Sequence, residues 1–215
     1  MHGGTGVGFH RATSVPHPSH LSPFTSMNWL EIIASLLGVV TVWLVVRRNI
    51  WTFPIGIVQV TLAGIVCFQA RLYSDALLQV LFGLMQVQGW VLWSRSDRAA
   101  DDRIAIRSLG PLQWLWTGCV LLAGTFGLGY AMHTWTDADF AYRDAFCTVQ
   151  SVLAQWWMNK RYLENWVLWI AVNQVYVFMY ADKGLKFFAG LYAVFLVQAA
   201  LGYIQWKQKL ATSEG

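Results

Sequence analysis

Long apolar runs alternate with short polar breaks along most of this chain. Trp29 to Val46 is apolar but for Glu31 and small hydroxyl residues, and it stops at Arg47-Arg48-Asn49. A second run, Trp51 to Phe68, stops at Gln69-Ala70-Arg71, and a third covers Asp75 to Trp93. The most charged segment, SRSDRAADDRIAIRSLG, comes next. A fourth run spans Pro111 to Met132, with proline suited to a first helical turn. The fifth, Phe140 to Met158, ends at Asn159-Lys160-Arg161. The sixth runs from Glu164 to Gly184, and the seventh from Leu185 to Trp206 before KQKLATSEG. A helix needs about 20 apolar residues to cross a bilayer. The pattern therefore predicts an all-α polytopic membrane protein with seven transmembrane helices.

Composition sharpens this picture. Only 12% of residues are charged and 56% are hydrophobic, whereas soluble domains carry about 25% charge. Thirteen tryptophans suit both the lipid interface and flat binding walls. The net charge of +4 is modest, and no basic run is interleaved with aromatics, so a nucleic-acid partner is not expected. Cys67, Cys119 and Cys147 lie within apolar runs without CxxC spacing and read as ordinary buried thiols. No metal set or cofactor motif stands out, and GGTGVG follows no strand. Residues 1–26, rich in Gly, His, Pro and Ser and lacking an apolar signal core, read as a disordered tail, with Met27 as an alternative start. Lysine and arginine are about twice as frequent on the side holding Arg47, Arg95, Lys160 and Lys207 as on the other. The positive-inside rule then sets the C-terminus in the cytoplasm and the N-terminus outside, in a cell (inner) membrane.

A shift of 113 residues lays the chain on itself: Arg47-Arg48 falls on Lys160-Arg161, Trp43 on Trp156, Leu72 on Leu185, Gly89 on Gly202 and Trp93 on Trp206. Helix boundaries stay in register without a gap. Three helices plus one connector make an even number of crossings, so both triplets share one orientation. This predicts a 3+1+3 parallel repeat. Its parts are a first bundle at 27–94, a charged loop and connecting helix at 95–138, a second bundle at 139–207, and a tail at 208–215.

The sixth run carries the chemistry. Trp166, Trp169, Asn173, Tyr176 and Tyr180 are spaced three, four, three and four, which makes one helical stripe. An amide facing lipid would leave its polar atoms unpaired at a few kcal/mol, so Asn173 is expected to face protein or a cavity. The competing reading is helix packing, with Trp166 as an interface anchor. In the third run Gln79, Phe82, Gln86, Gly89 and Trp93 share a face, while Gln88 points away. Gln86 is the candidate to meet a ligand from the opposite bundle, and Gln88 takes that role if the helix is turned otherwise. Gln150 shares a side of the fifth run with Trp157, and Tyr192 is placed to close an aromatic box. Carboxylates cluster at run ends, with only Glu31 and Asp144 near hydrocarbon, so no buried relay for an ion-driven carrier is evident. There is no HExxH or GxSxG, and His133, the one histidine outside the tail, sits at a run end, so an enzyme is not expected.

WLEIIASLLGVVTVWLVVRRNIWTFPIGIV with RLYSDALLQVLFGLMQVQGWVLW, and ENWVLWIAVNQVYVFMYADKGL with LYAVFLVQAALGYIQW, resemble the PnuC family of nicotinamide riboside transporters over about residues 29–207. The resemblance implies a SWEET-like pair of three-helix bundles and a homotrimer with one path per subunit. It implies facilitated diffusion of nicotinamide riboside for NAD synthesis, made directional by a cytoplasmic kinase that phosphorylates the substrate. Trp166 and Trp169 would stack the cationic ring, and Asn173 with Gln86 would orient its carboxamide. Family relatives carry other vitamin precursors, notably thiamine, which is also a cationic aromatic. A receptor or structural membrane protein is the alternative of another class.

Overall fold

The computed structural model describes residues 29–69, 73–99, 106–135, 140–182 and 184–214. The expected tail at 1–26 lies outside them, as do Leu72 and residues 100–105 of the charged loop. Seven helices follow in order: α1 Trp29–Val46, α2 Thr52–Gln69, α3 Tyr73–Ala99, α4 Pro111–Trp135, α5 Ala141–Asn159, α6 Asn165–Asp182 and α7 Lys186–Glu214. Among the described residues there is no strand, only an isolated bridge between Arg107 and Tyr162. Two helices outrun their apolar segments. α3 continues past Trp93 to Ala99, and α7 absorbs the expected tail as far as Glu214. The residues after Trp206 include no glycine or proline before the last position, so nothing in the sequence stops the helix.

Five helices are long and apolar enough to cross a membrane: α1, α2, α4 and most of α3 and α7. α5 and α6 fall short because they carry Arg143, Asp144, Gln150, Gln155 and Asn159, and Asn165, Asn173 and Gln174. They are also the best covered. α5 buries Gln150, Gln155 and Asn159, and α6 buries Asn165 and Asn173. Gln150 and Asn159 donate to carbonyls of other helices, Leu168 O and Met85 O, so an interior helix tolerates a polarity that a lipid-facing one does not.

The helices pack as two triplets, α1 on α2 on α3 and α5 on α6 on α7, with α4 against α5. Two seams join the triplets, α1 with α7 and α3 with α5. The 113-residue shift turns each seam into the other. Backbone detail follows the same shift. Two residues past the helix end, Arg48 follows α1 at φ 56 and Arg161 follows α5 at φ 64. Arg48 N–H donates to Val45 O and Asn49 N–H to Leu44 O, while Arg161 N–H donates to Met158 O and Tyr162 N–H to Trp157 O. This is a left-handed helix cap built on arginine where glycine is usual, made twice. Edge-on ring pairs repeat as well. Phe53 meets Trp93 at 5.0 Å and 85°, and Trp166 meets Trp206 at 5.4 Å and 89°.

Each ring pair depends on a glycine. A Cβ on Gly89 would lie 2.3 Å from the Phe53 ring, and one on Gly202 would lie 2.6 Å from the Trp166 ring. Trp166 and Trp206 are fully buried, so the ring cannot swing away freely. Gly202→Ala is therefore expected to destabilise the protein by about 1–3 kcal/mol, the usual cost of overpacking. Gly190, in the same helix with open space around it, is the control. Gly190→Ala should be neutral or gain up to about 1 kcal/mol from helix propensity. Thermal unfolding in detergent, followed by tryptophan fluorescence, compares the two.

A strap ties the lead-in of α4 to the α5–α6 turn. Arg107 N–H donates to Arg161 O at 3.0 Å, and Leu163 N–H donates back to Arg107 O at 2.8 Å. The buried Glu164 carboxylate accepts from Ser108 Oγ and from Leu109 N–H. The equivalent position in the first triplet, Trp51, is exposed and has no such role.

Candidate functional site

The stripe on α6 faces inward. Asn173 is 5% exposed and Trp166 only 1%, so neither looks onto lipid. Helical spacing puts Trp166, Trp169, Asn173, Tyr176 and Tyr180 on one side, and α7 covers that side. Trp166 is wedged between Gly202 and Trp206. Trp169 is half-buried and packs against both core clusters. Farther along, the Tyr176 and Tyr192 rings lie 4.6 Å apart, and Tyr180 stacks on Tyr192 at 5.3 Å and on Phe188 at 5.4 Å. Tyr192 thus joins the α6 row from α7. Asp75 at the start of α3 and Asp144 in the first turn of α5 lie within electrostatic range of Tyr176 and Tyr180.

The glutamines divide between the two triplets. Gln150, 2% exposed, donates from Nε2 to Leu168 O at 2.9 Å and so ties α5 to α6. Its Oε1 has no partner. Gln86, 6% exposed, lays its amide against Gly56 of α2, and its Oε1 is likewise unpartnered. Gln88 points elsewhere, with Oε1 at 3.5 Å from Asn159 Nδ2. Trp169, Asn173, Tyr176, Gln150 and Tyr192 therefore gather on the second triplet, Gln86 stands on the first, and Gln88 belongs to the α3/α5 seam. Open grooves lined by Trp90, Val91, Ser94 and Arg95, and by Tyr203, Ile204 and Lys207, lie at the far ends of α3 and α7 and not beside the row.

Three residues emerge that sequence reasoning passed over. Asn159 is 1% exposed and donates from Nδ2 to Met85 O at 2.7 Å across the seam. Gln198, buried on α7, donates to Val39 O of α1 at 3.0 Å. Gly56 gives Gln86 its resting place. Asn159 reads in sequence as part of the polar stop before Lys160-Arg161. The 113-residue shift pairs Gly56 with Trp169 and would have drawn attention to it.

Buried amide carbonyls without partners are acceptors awaiting donors. Indole and phenol rings offer planar faces to flat groups, cationic ones above all. Side chains of these kinds suit a flat solute bearing N–H or O–H donors. They offer no reacting group, and among the described residues no set of three His, Cys, Asp or Glu is arranged to hold a metal.

Known proteins resemble this chain in sequence and fold. The chain is 28% identical to the nicotinamide riboside transporter PnuC of Escherichia coli over 205 residues, 84% of this chain and 85% of that one. It is 26% identical to the PnuC of Neisseria mucosa, covering 89% and 77%. It is 25% identical to the riboflavin/roseoflavin transporter RibM of Streptomyces davaonensis, covering 83% and 84%. The crystal structure of the vitamin B3 transporter PnuC superposes with a TM-score of 0.71 at 25% identity, over 86% of this chain and 83% of that one. The family model described as nicotinamide mononucleotide transporter matches residues 28–208, and the chain belongs to that family.

Proposed function

We propose that the chain imports nicotinamide riboside across the cell (inner) membrane by facilitated diffusion, for NAD synthesis. The observation that carries this reading is a buried asparagine, Asn173, set within a row of aromatic rings on an interior helix. Its amide can donate to and accept from a carboxamide, and Trp169 offers a face to a pyridinium ring. Relatives named for nicotinamide riboside support the choice of substrate. The two triplets would form a SWEET-like pair, with 27–94 rocking against 139–207 and 95–138 as connector. A homotrimer, a cytoplasmic C-terminus and a kinase that traps the substrate complete the reading.

The relative named for riboflavin keeps a second substrate open, as does thiamine. All three are flat, so rings alone do not separate them. Calorimetry on purified protein with nicotinamide riboside, thiamine, riboflavin and nicotinamide mononucleotide decides. The riboside is expected to bind best. The mononucleotide should bind at least about tenfold more weakly, because none of the candidate site residues is a cation that could pair with its phosphate. Equal binding of the two would remove the riboside reading. Uptake into sealed vesicles, unchanged when proton and sodium gradients are collapsed, separates a facilitator from a receptor that binds without transport. Accumulation of unmodified substrate against its gradient would exclude facilitated diffusion.

A further inference from the structure

The geometry points to Gly56 as a positioning residue that sets where Gln86 offers its carbonyl to the substrate; this rests on Gln86 belonging to the substrate site. A Cβ on Gly56 would lie 2.6 Å from Gln86 Nε2, 2.9 Å from Cδ and 3.3 Å from Oε1. All three atoms of the amide group crowd that point, so the plane of the amide rests on bare α2 backbone. Gln86 is 6% exposed and its Oε1 has no hydrogen-bond partner. A dry, unpaired acceptor is costly unless a donor arrives. No side chain at residue 56 larger than hydrogen leaves the amide where it is.

The repeat gives an independent argument. The 113-residue shift lays Gly56 on Trp169 and Gln86 on Ala199. Ala199 is 1% exposed, and Trp169 packs against the core cluster that contains it. At these shift-related positions each triplet carries one planar side chain and one small residue, and the two triplets exchange the roles. In the first, an amide reaches from α3 over a glycine on α2. In the second, the Trp169 indole on α6 packs against the core cluster that contains Ala199 of α7. One scaffold thereby supplies a hydrogen-bond acceptor from one half and a ring face from the other. Both are needed to hold a flat molecule that carries N–H or O–H donors. In the first half the bare backbone at Gly56 is what admits the amide, so Gly56 is as much part of the acceptor as Gln86.

The test uses full-length Gly56→Ala, Gln86→Ala and the double variant. Calorimetry would measure nicotinamide riboside, nicotinic acid riboside, which lacks the amide N–H, and its 2′- and 3′-deoxy analogues, which each lack one hydroxyl. Wild-type protein should bind the analogue lacking the donor read by Gln86 about tenfold more weakly than the parent. Gln86→Ala should lose that discrimination for one analogue, and Gly56→Ala should lose it for the same analogue. The double variant should discriminate no worse than Gln86→Ala, because a methyl then displaces nothing. A merely structural role for Gly56 would lower the thermal midpoint without changing which analogue is disfavoured. Gly56→Ala with wild-type discrimination, or a double variant that loses more than Gln86→Ala, overturns the proposal. If Gly56→Ala does not fold, the double variant should fold, because the methyl then displaces no amide, and a double variant that fails as well overturns the proposal. If Gln86→Ala keeps every penalty, Gln86 lies outside the site, and the failure is that of the functional reading.

Discussion

Asn173→Leu will cost nicotinamide riboside binding about ten- to a hundredfold while leaving the protein folded. Leucine shares asparagine's branching and number of side-chain heavy atoms, is somewhat larger, and is at home on an interior helix. At worst the exchange strands one hydrogen-bond partner, at about 1–3 kcal/mol, which a folded protein with about 5–15 kcal/mol of stability bears. The ligand has no such margin. Its carboxamide would meet a buried leucine in place of the amide and find neither donor nor acceptor there. Each unpaired group costs about 1–3 kcal/mol, which is roughly tenfold or more in affinity. Trp169→Leu should weaken binding as well, through lost stacking worth about 0.5–2 kcal/mol. That variant also leaves space where the indole packs against both core clusters, so its thermal midpoint should fall. Trp169→Phe keeps a ring face and should recover part of the affinity. Calorimetric titration with the riboside, paired with thermal unfolding, separates the two effects. Undiminished binding in both leucine variants means that the substrate meets another helix face.

The sequence displayed its helices because lipid demands long apolar runs and the polar breaks between them are sharp. It displayed the α6 stripe for a related reason, since an asparagine at mid-run must find protein. Burial of Asn173 and Trp166 agrees with that expectation. The 113-residue repeat was visible in a few tryptophans, glycines and arginines, and backbone geometry follows it at Arg48 and Arg161. Those caps themselves were not legible. A left-handed helix end is usually marked by glycine, and here arginine occupies it twice. Gln86 and Gln88 illustrate a second limit. Spacing separates their faces but does not say which one looks inward, and the structure buries Gln86 while Gln88 is half-buried. Contacts between the triplets were the least legible of all. Asn159 and Gln198 donate to backbone carbonyls 74 and 159 residues away, and no local pattern encodes a carbonyl as a partner.

Those two bonds lead to the other large expected effect: Asn159→Leu will destabilise the protein far more than Gln198→Leu. The seams they close are equivalents under the repeat yet differ in construction. At the α3/α5 seam Asn159 Nδ2 donates to Met85 O, and its Oδ1 accepts from Gln155 Nε2 at 3.0 Å. The Trp93 indole, with no exposed surface, donates to Asn159 O at 3.1 Å. Arg161 places its guanidinium 5.1 Å from the centre of that ring. Gly89 opposite leaves no slack, since a Cβ there would lie 2.6 Å from Asn159 Oδ1. Leucine at 159 would strand the buried Gln155 amide and press a branched chain toward Gly89. Stranding a buried donor costs about 1–3 kcal/mol, and overpacking adds about as much again. The α1/α7 seam offers much less to lose. Gln198 makes one bond, to Val39 O, and its Oε1 is already unpartnered, as is Nε1 of Trp206, the counterpart of Trp93. An interhelical bond of this kind in a membrane is worth about 0.6–2 kcal/mol. Thermal midpoints of the two variants, read side by side in one detergent, test the inequality. Equal losses would mean that the seams are equally strong. A larger loss from Gln198→Leu would reverse the assignment, making α1/α7 the firm contact and α3/α5 the one able to part during transport.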